Sequence, residues 1–298
     1  MPETSVIIPF HDRIDWTCQA IASVTGQTYQ DFEIIVVDDG STEDYRASIE
    51  KLDARIRYIR QEQRGAGAAR NAGIKIAAGE FIAFLDSDDL FLPEKLEIQI
   101  GILRDHPDLL LVHSSYIRVD KTGNEIALVP SGTFTGHVYP GIYFRCQIAT
   151  PTVVVRKMVL DHLEFEESAR YGQDVILWTK ISKLGEIIGV ERPLAKVRMH
   201  GNNVILIPEK KIEGIRNKLK FGARTDKDVK FILRQQIESR HYLNIAYWQL
   251  KMKNYPAAAF SVTISFLKWP FQKELYVKLF LLFLPKRARS KFEEIMLG

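Results

Sequence analysis

A chain of 298 residues, 46% hydrophobic and 26% charged, has the composition of a globular protein with room for one α/β domain of about 200 residues and a smaller unit. Its two cysteines, Cys18 and Cys146, exclude a metal-finger framework and a disulfide scaffold and point to a reducing compartment. The net charge of +4 hides an imbalance, since residues 1–207 hold 22 Lys and Arg against 29 Asp and Glu while residues 208–298 hold 19 against 8, an acidic half followed by a basic tail.

After "MPET", the run "SVIIPF" is too short for a leader's apolar region and lacks a basic flank, so it reads as the first strand. Then come "WTCQAIASVTGQ" as a helix, "FEIIVVDDGS" as a strand, "YRASIEKLD" as a helix and "IRYIRQ" as a short strand. "GAGAARNAGIKIAAG" supplies the next helix and "EFIAFLDSDD" the next strand. This alternation predicts stacked βαβ units and a largely parallel sheet, with ligands bound beyond the carboxyl ends of its strands.

"LLLVHSSYIRVDKTGNEIALV" predicts a hairpin about Thr-Gly-Asn, and "TPTVVVRKMVL" a strand followed by a helix. "GQDVILWTKISKLG" predicts a helix ending at Gly185, and "EIIGVERPLAKVRMH" two further strands. Beyond about Ile205 the pattern is helical, broken at Pro208, Pro256, Pro270 and Pro285. "LNIAYWQLKMKNYPAAAFSVTISFLKWP" fits one tetratricopeptide-type helical hairpin or a helical cap. No run of about 20 apolar residues exists, and "LYVKLFLLFLP" carries Lys278, so no membrane span is expected.

Charged residues gather at the strand ends. In "FIAFLDSDDLFLP" an apolar run breaks into Asp86, Ser87, Asp88 and Asp89. Crowded carboxylates repel one another and resist desolvation unless a cation or donors compensate. Two readings follow: a polar turn in which Asp89 caps the helix that Pro93 begins, or a divalent-cation site, because Asp-x-Asp aims two carboxylates the same way from an extended chain. Asp38 and Asp39 end the second strand, where acceptors can meet the imide N–H of a pyrimidine or simply shape a turn. In "GAGAARNAG" small residues let the backbone approach a ligand while Arg70 offers a cationic fork suited to a pyrimidine or a diphosphate, and Asn71 and Gly73 read as helix-packing residues. Asp174 opens a helix, where its carboxylate is favoured by the helix N-terminus. Trp178, one turn later, reads as acceptor site or core.

In that order, "SVIIPF", "FEIIVVDDGS", "GAGAARNAGIKIAAGEFIAFLDSDD" and "GQDVILW" closely resemble family 2 glycosyltransferases, the inverting nucleotide-sugar enzymes of the GT-A fold, from Ser5 to Asn203. The resemblance implies a GT-A domain over residues 1–205, a mostly parallel twisted sheet flanked by helices; the charge and helical pattern add a basic helical region over residues 206–298. It implies Pro9, Asp39, Arg70 and Asp86 at the nucleotide sugar, Asp88 and His200 on Mn²⁺ or Mg²⁺, and Asp174 as general base, with Gln173 standing where the family usually has Glu. Arg198 is a further candidate for the diphosphate.

The expected reaction moves a sugar from a UDP- or dTDP-sugar to a hydroxyl of a saccharide or lipid-linked saccharide in polysaccharide biosynthesis. Two alternatives are a sugar nucleotidyltransferase, which would need a glycine-rich basic loop where "IIPFHDR" stands, and a non-catalytic nucleotide-sugar or glycan-binding module, which would be expected to have lost an acidic position. No nucleic-acid motif accompanies the basic tail. A cytoplasmic location is expected, with Phe280, Leu281, Phe283 and Leu284 entering an anionic membrane surface while Lys278, Lys286, Arg287, Arg289 and Lys291 meet its headgroups; the alternative is a helical cap with a solvated face.

Overall fold

The computed structural model describes residues 1–201 and 206–272, so the proposed membrane-facing residues 278–291 lie outside the described residues. The chain divides into two compact units, Met1–Gly201 and Asn202–Gly298.

The first unit alternates strands and helices from its start. Strand β1 (Thr4–Phe10) leads to α1 (Ile14–Thr25), β2 (Phe32–Asp39) to α2 (Arg46–Glu50), and β3 (Ile56–Gln61) to α3 (Ala66–Ile76). Then follow β4 (Phe81–Phe84), the two-residue β5 (Leu90–Phe91), α4 (Lys95–Asp105), and the hairpin of β6 (Leu111–Val119) and β7 (Glu125–Val129). Strand β8 (Val154–Arg156) runs into α5 (Lys157–Leu160), and α6 (Gln173–Ser182) precedes β9 (Ile187–Arg198).

One nine-stranded sheet results, in the order β3-β2-β1-β4-β8-β6-β9-β5, with β7 on β6. Its β3-β2-β1-β4 half is parallel, as βαβ crossovers require. Beyond β4 the sheet is mixed: β8 is antiparallel to both β4 and β6, and β9 is parallel to β6. Apolar residues cover both faces of the central strands because helices lie on each side. Val6 and Ile8 of β1 pack with Ile21 and Val24 of α1 and Leu96 of α4, while Ile7 between them packs with Ala69 of α3 and Leu177 of α6.

The two strands expected in "EIIGVERPLAKVRMH" are one continuous strand, β9. Its register against β6 slips around Ser115, which pairs with Pro193 while Ser114 pairs with Val190. A bulge there accommodates a residue that has no N–H to give.

In the second unit the described elements are helical: α7 (Pro208–Lys218), a π turn (Leu219–Ala223), α8 (Phe231–Lys251) and α9 (Tyr255–Lys268). Helices α8 and α9 form the expected hairpin, joined at Asn254, whose side chain caps α9 by accepting the Ala257 N–H at 3.2 Å. Leu243, Ala246 and Val262 make its core, and Glu238 is held by Arg224 at 3.1 Å and Lys268 at 2.8 Å.

Candidate active site

The sequence candidates come from the carboxyl ends of β1, β2, β4 and β9 and the starts of α3 and α6. Pro9 sits in β1, a central strand, beyond the last β1–β4 pair (Ile7 with Phe84), so no ladder bond to β4 is lost by its missing N–H. Asp38 is fully buried and shapes the turn: it accepts the Ser41 N–H at 2.8 Å and the Tyr58 hydroxyl at 2.6 Å. Asp39 gathers the loop before α3, accepting Gln61 Nε2 at 2.7 Å and the N–H groups of Arg64 and Gly65 at 2.8 Å each. Gly65 has φ +94°, a conformation that side chains resist, and this lets successive N–H groups turn to one carboxylate.

Arg70 projects from α3 with its side chain buried. Its guanidinium pairs with Asp86 and lies 5.2 Å from the centre of the Phe165 ring. Asp86 is the first carboxylate past β4. Burial raises its pKa above the usual carboxylate range; Arg70 pulls it back, and the nearby charges of Asp88 and Asp174 push it up again.

Asp88 behaves oppositely. Burial would raise its pKa, but His200 and Arg13 outweigh it, and the net shift is downward. His200 Nε2 and Arg13 Nη1 each lie 2.7 Å from Asp88 Oδ2. Trp16 of α1 backs this group, with the His200 ring centroid 4.9 Å away and the Arg198 guanidinium 5.2 Å from its ring. Arg198 itself reaches Gln19 Oε1 at 2.9 Å.

Asp89 does not cap a helix. Strand β5 intervenes and α4 begins at Lys95 after Glu94. Instead Asp89 accepts the Arg198 N–H at 2.8 Å and ties the end of β9 to the acidic turn. Burial first, then the charges of Asp88 and Asp86, raises its pKa well above the ordinary value.

Asp174 lies in the first turn of α6, after Gly172 in a left-handed conformation. Its Oδ1 accepts the Val175 N–H at 2.8 Å, and the Thr150 hydroxyl stands 3.5 Å from its Oδ2. Gln173 turns inward, its Cγ 3.5 Å from where a Cβ on Gly67 of α3 would stand. Trp178 belongs to the core: fully buried, it packs on Phe84 and Phe165 at 6.0 and 5.8 Å between ring centroids.

Two contacts therefore link the candidates, Arg70 with Asp86 and His200 with Asp88. Sequence reading missed Arg13. Its signal is positional, a basic residue in "HDRID" just past the first strand, on the edge where ligands are expected. Among the described residues no three His, Cys, Asp or Glu side chains gather into a ready metal shell. Asp88 and His200 still offer an oxygen and a nitrogen at one place, a donor set that suits a divalent ion whose other ligands arrive with a diphosphate.

Residues 5–156 match the model of the family described as glycosyl transferase family 2. A Rickettsia bellii protein described as an uncharacterized glycosyltransferase is 42% identical over 218 residues, 72% of this chain and 31% of that protein. The chain thus spans about a third of that relative, and 36% of a similar Rickettsia felis protein. An Escherichia coli protein named UDP-Glc:alpha-D-GlcNAc-diphosphoundecaprenol beta-1,3-glucosyltransferase WfgD is 31% identical over 188 residues, 62% of this chain and 72% of its own length. In fold, the chain is similar to S. aureus TarS 1-349 in complex with UDP-GlcNAc (TM-score 0.66, 20% identity, 89% of this chain and 81% of that one). It is also similar to the mannosyltransferase PcManGT from Pyrobaculum calidifontis in complex with GDP-Man and Mn²⁺ (TM-score 0.61, 17% identity, 97% and 82%). With the family match covering half of the chain and the fold agreeing, this chain belongs to glycosyl transferase family 2.

Proposed function

We propose that the chain is a metal-dependent inverting glycosyltransferase that moves a sugar from a UDP- or dTDP-sugar to a hydroxyl of a saccharide or lipid-linked saccharide. The observation that carries this reading is the acidic turn after β4, where Asp86 is held by Arg70 and Asp88 by His200. Support comes from WfgD, whose name gives a UDP-sugar donor and a diphosphoundecaprenol acceptor, and from TarS in complex with UDP-GlcNAc.

Pro9 and Asp39 line the edge for the nucleotide base. Asp39 already accepts three N–H groups, so the base is met by this whole loop rather than by a free carboxylate. Asp88 and His200 hold Mn²⁺ or Mg²⁺, which when bound neutralises the diphosphate as it leaves. PcManGT in complex with Mn²⁺ supports that cofactor. Asp86 and Arg70 orient the donor beside it. Asp174 takes the proton of the acceptor hydroxyl, whose oxygen bonds to the anomeric carbon as the bond to the diphosphate breaks. One displacement of this kind turns an α-linked donor into a β-linked product.

The test is calorimetric binding of UDP-, dTDP- and GDP-sugars with and without Mn²⁺. Binding of a UDP- or dTDP-sugar that needs the ion supports the reading; no binding of any of them with the ion present rejects it. We further propose a cytoplasmic protein whose basic C-terminal region meets an anionic membrane near its acceptor, which co-sedimentation with anionic and neutral vesicles tests. No described helix is long and apolar enough to cross a membrane.

A further inference from the structure

The two carboxylates of Asp86-Ser87-Asp88 each have their own arginine, and the two arginines are built differently. Arg70 holds Asp86 with a side chain 6% exposed and packed on Phe165. Arg13 holds Asp88 at 2.7 Å with a side chain 35% exposed. The Arg13 carbonyl is anchored, accepting the Thr17 N–H at 2.9 Å and the Thr17 hydroxyl at 2.8 Å, while its guanidinium lies 5.7 Å from the centre of the Trp16 ring. The backbone is anchored, and the charged end stands at the tip of a long, partly exposed stem.

We propose that Arg13 is a movable counter-ion of Asp88: it holds that carboxylate in the donor-free protein and passes to the donor's diphosphate when a divalent ion takes its place. This rests on the metal-dependent donor reading given above.

Two physical arguments carry it. Asp88 Oδ2 already takes both His200 and Arg13 at 2.7 Å, so an ion coordinating that oxygen competes directly with a guanidinium. With Arg13 and Arg70 in place each of the two carboxylates has a cationic partner, and an ion arriving alone meets less negative charge than the bare pair would present. A diphosphate restores that charge, and the planar fork of arginine matches phosphate oxygens. Metal affinity is thereby made to depend on the nucleotide, and Arg13 becomes a donor-binding residue.

The experiment follows free Mn²⁺ by its electron paramagnetic resonance signal, with and without UDP, for the wild type, Arg13→Gln and Arg13→Lys. The wild type should bind Mn²⁺ weakly alone and about tenfold more tightly with UDP, a coupling of ordinary size. Arg13→Gln should bind Mn²⁺ alone about fivefold more tightly, the worth of one partly exposed ion pair, and gain less from UDP. Arg13→Lys, which keeps the charge but loses the fork, should fall between them and still show a reduced UDP gain. The proposal is overturned if both variants match the wild type in Mn²⁺ affinity and in UDP gain. If UDP binds but Mn²⁺ binds none of the proteins in either condition, the metal reading fails and Arg13's role falls with it, a pattern distinct from the first.

Discussion

Asn71 grips the backbone of Phe165 from both sides: its Nδ2 donates to the Phe165 carbonyl at 2.9 Å and its Oδ1 accepts the Phe165 N–H at 3.0 Å. The same Nδ2 reaches Glu167 Oε1 at 3.1 Å. Phe165 in turn packs edge-on against Phe84 at 5.2 Å and lies under the Arg70 guanidinium. Asn71, read from the sequence as a packing residue of α3, thus ties the segment before α6 to the helix that carries Arg70.

Asn71→Ala leaves the buried N–H and carbonyl of Phe165 without their partner. The expected loss is about 2–3 kcal/mol, seen as a lower urea midpoint with an unchanged slope. Wild-type stability in that variant would show that the staple contributes nothing.

Asp88→Asn and Asp174→Asn should separate binding from chemistry. Asp88→Asn loses metal-dependent donor binding while its thermal transition survives. Asp174→Asn still binds donor and ion but loses about 10²–10⁴-fold in turnover, the usual worth of a positioned base. Transfer at the wild-type rate by Asp174→Asn would place the base elsewhere, and unaltered ion-dependent binding by Asp88→Asn would remove it from the ion's ligands.

Gly73 tests how closely α3 lies on the sheet. A Cβ there would stand 2.6 Å from Ile7 Cγ2, a methyl held directly on the branched Cβ of a central-strand residue, with no easy retreat. Gly73→Ala should cost about 1–3 kcal/mol by overpacking, although alanine favours helix more than glycine does. A gain in melting temperature would mean that the contact yields.

His113 on β6 supplies a pH signature. Burial lowers its pKa from the ordinary 6.5 to about 4, against the opposing pull of the Phe134 carbonyl, 2.6 Å from Nε2, and of the Ser114 backbone. Below pH 6.5 the unfolded chain takes a proton that the folded one refuses, so this contribution is present above that pH and is lost as pH falls towards 4. Between pH 6.5 and 5 the wild type should lose about 1.5 kcal/mol more than His113→Gln in denaturant titrations. Parallel slopes for the two proteins would refute the assignment.

The sequence by itself determined the strands and helices of the parallel half, the hairpin after Leu109 and the helical pair near the C-terminus. Short apolar runs, amphipathic periods and turn residues are local signals, complete within a window of about ten residues. It also placed the carboxylates of Asp39, Asp86, Asp88 and Asp174, because polar clusters at strand ends and an acidic residue opening a helix are visible one element at a time.

Only the tertiary structure decided how these groups pair. The continuity of β9 across Pro193 depends on a bulge against β6, and Asp89 turned from a helix cap into an acceptor for Arg198 because β9 ends beside the acidic turn. Trp178 went to the core because α6 packs on the face of the sheet that holds Phe84, with Phe165 of the preceding segment beside it. Arg13 and Asp88 are 75 residues apart in the chain. Nothing within either window encodes their contact, since it arises when the crossovers bring the ends of β1 and β4 side by side at the same edge.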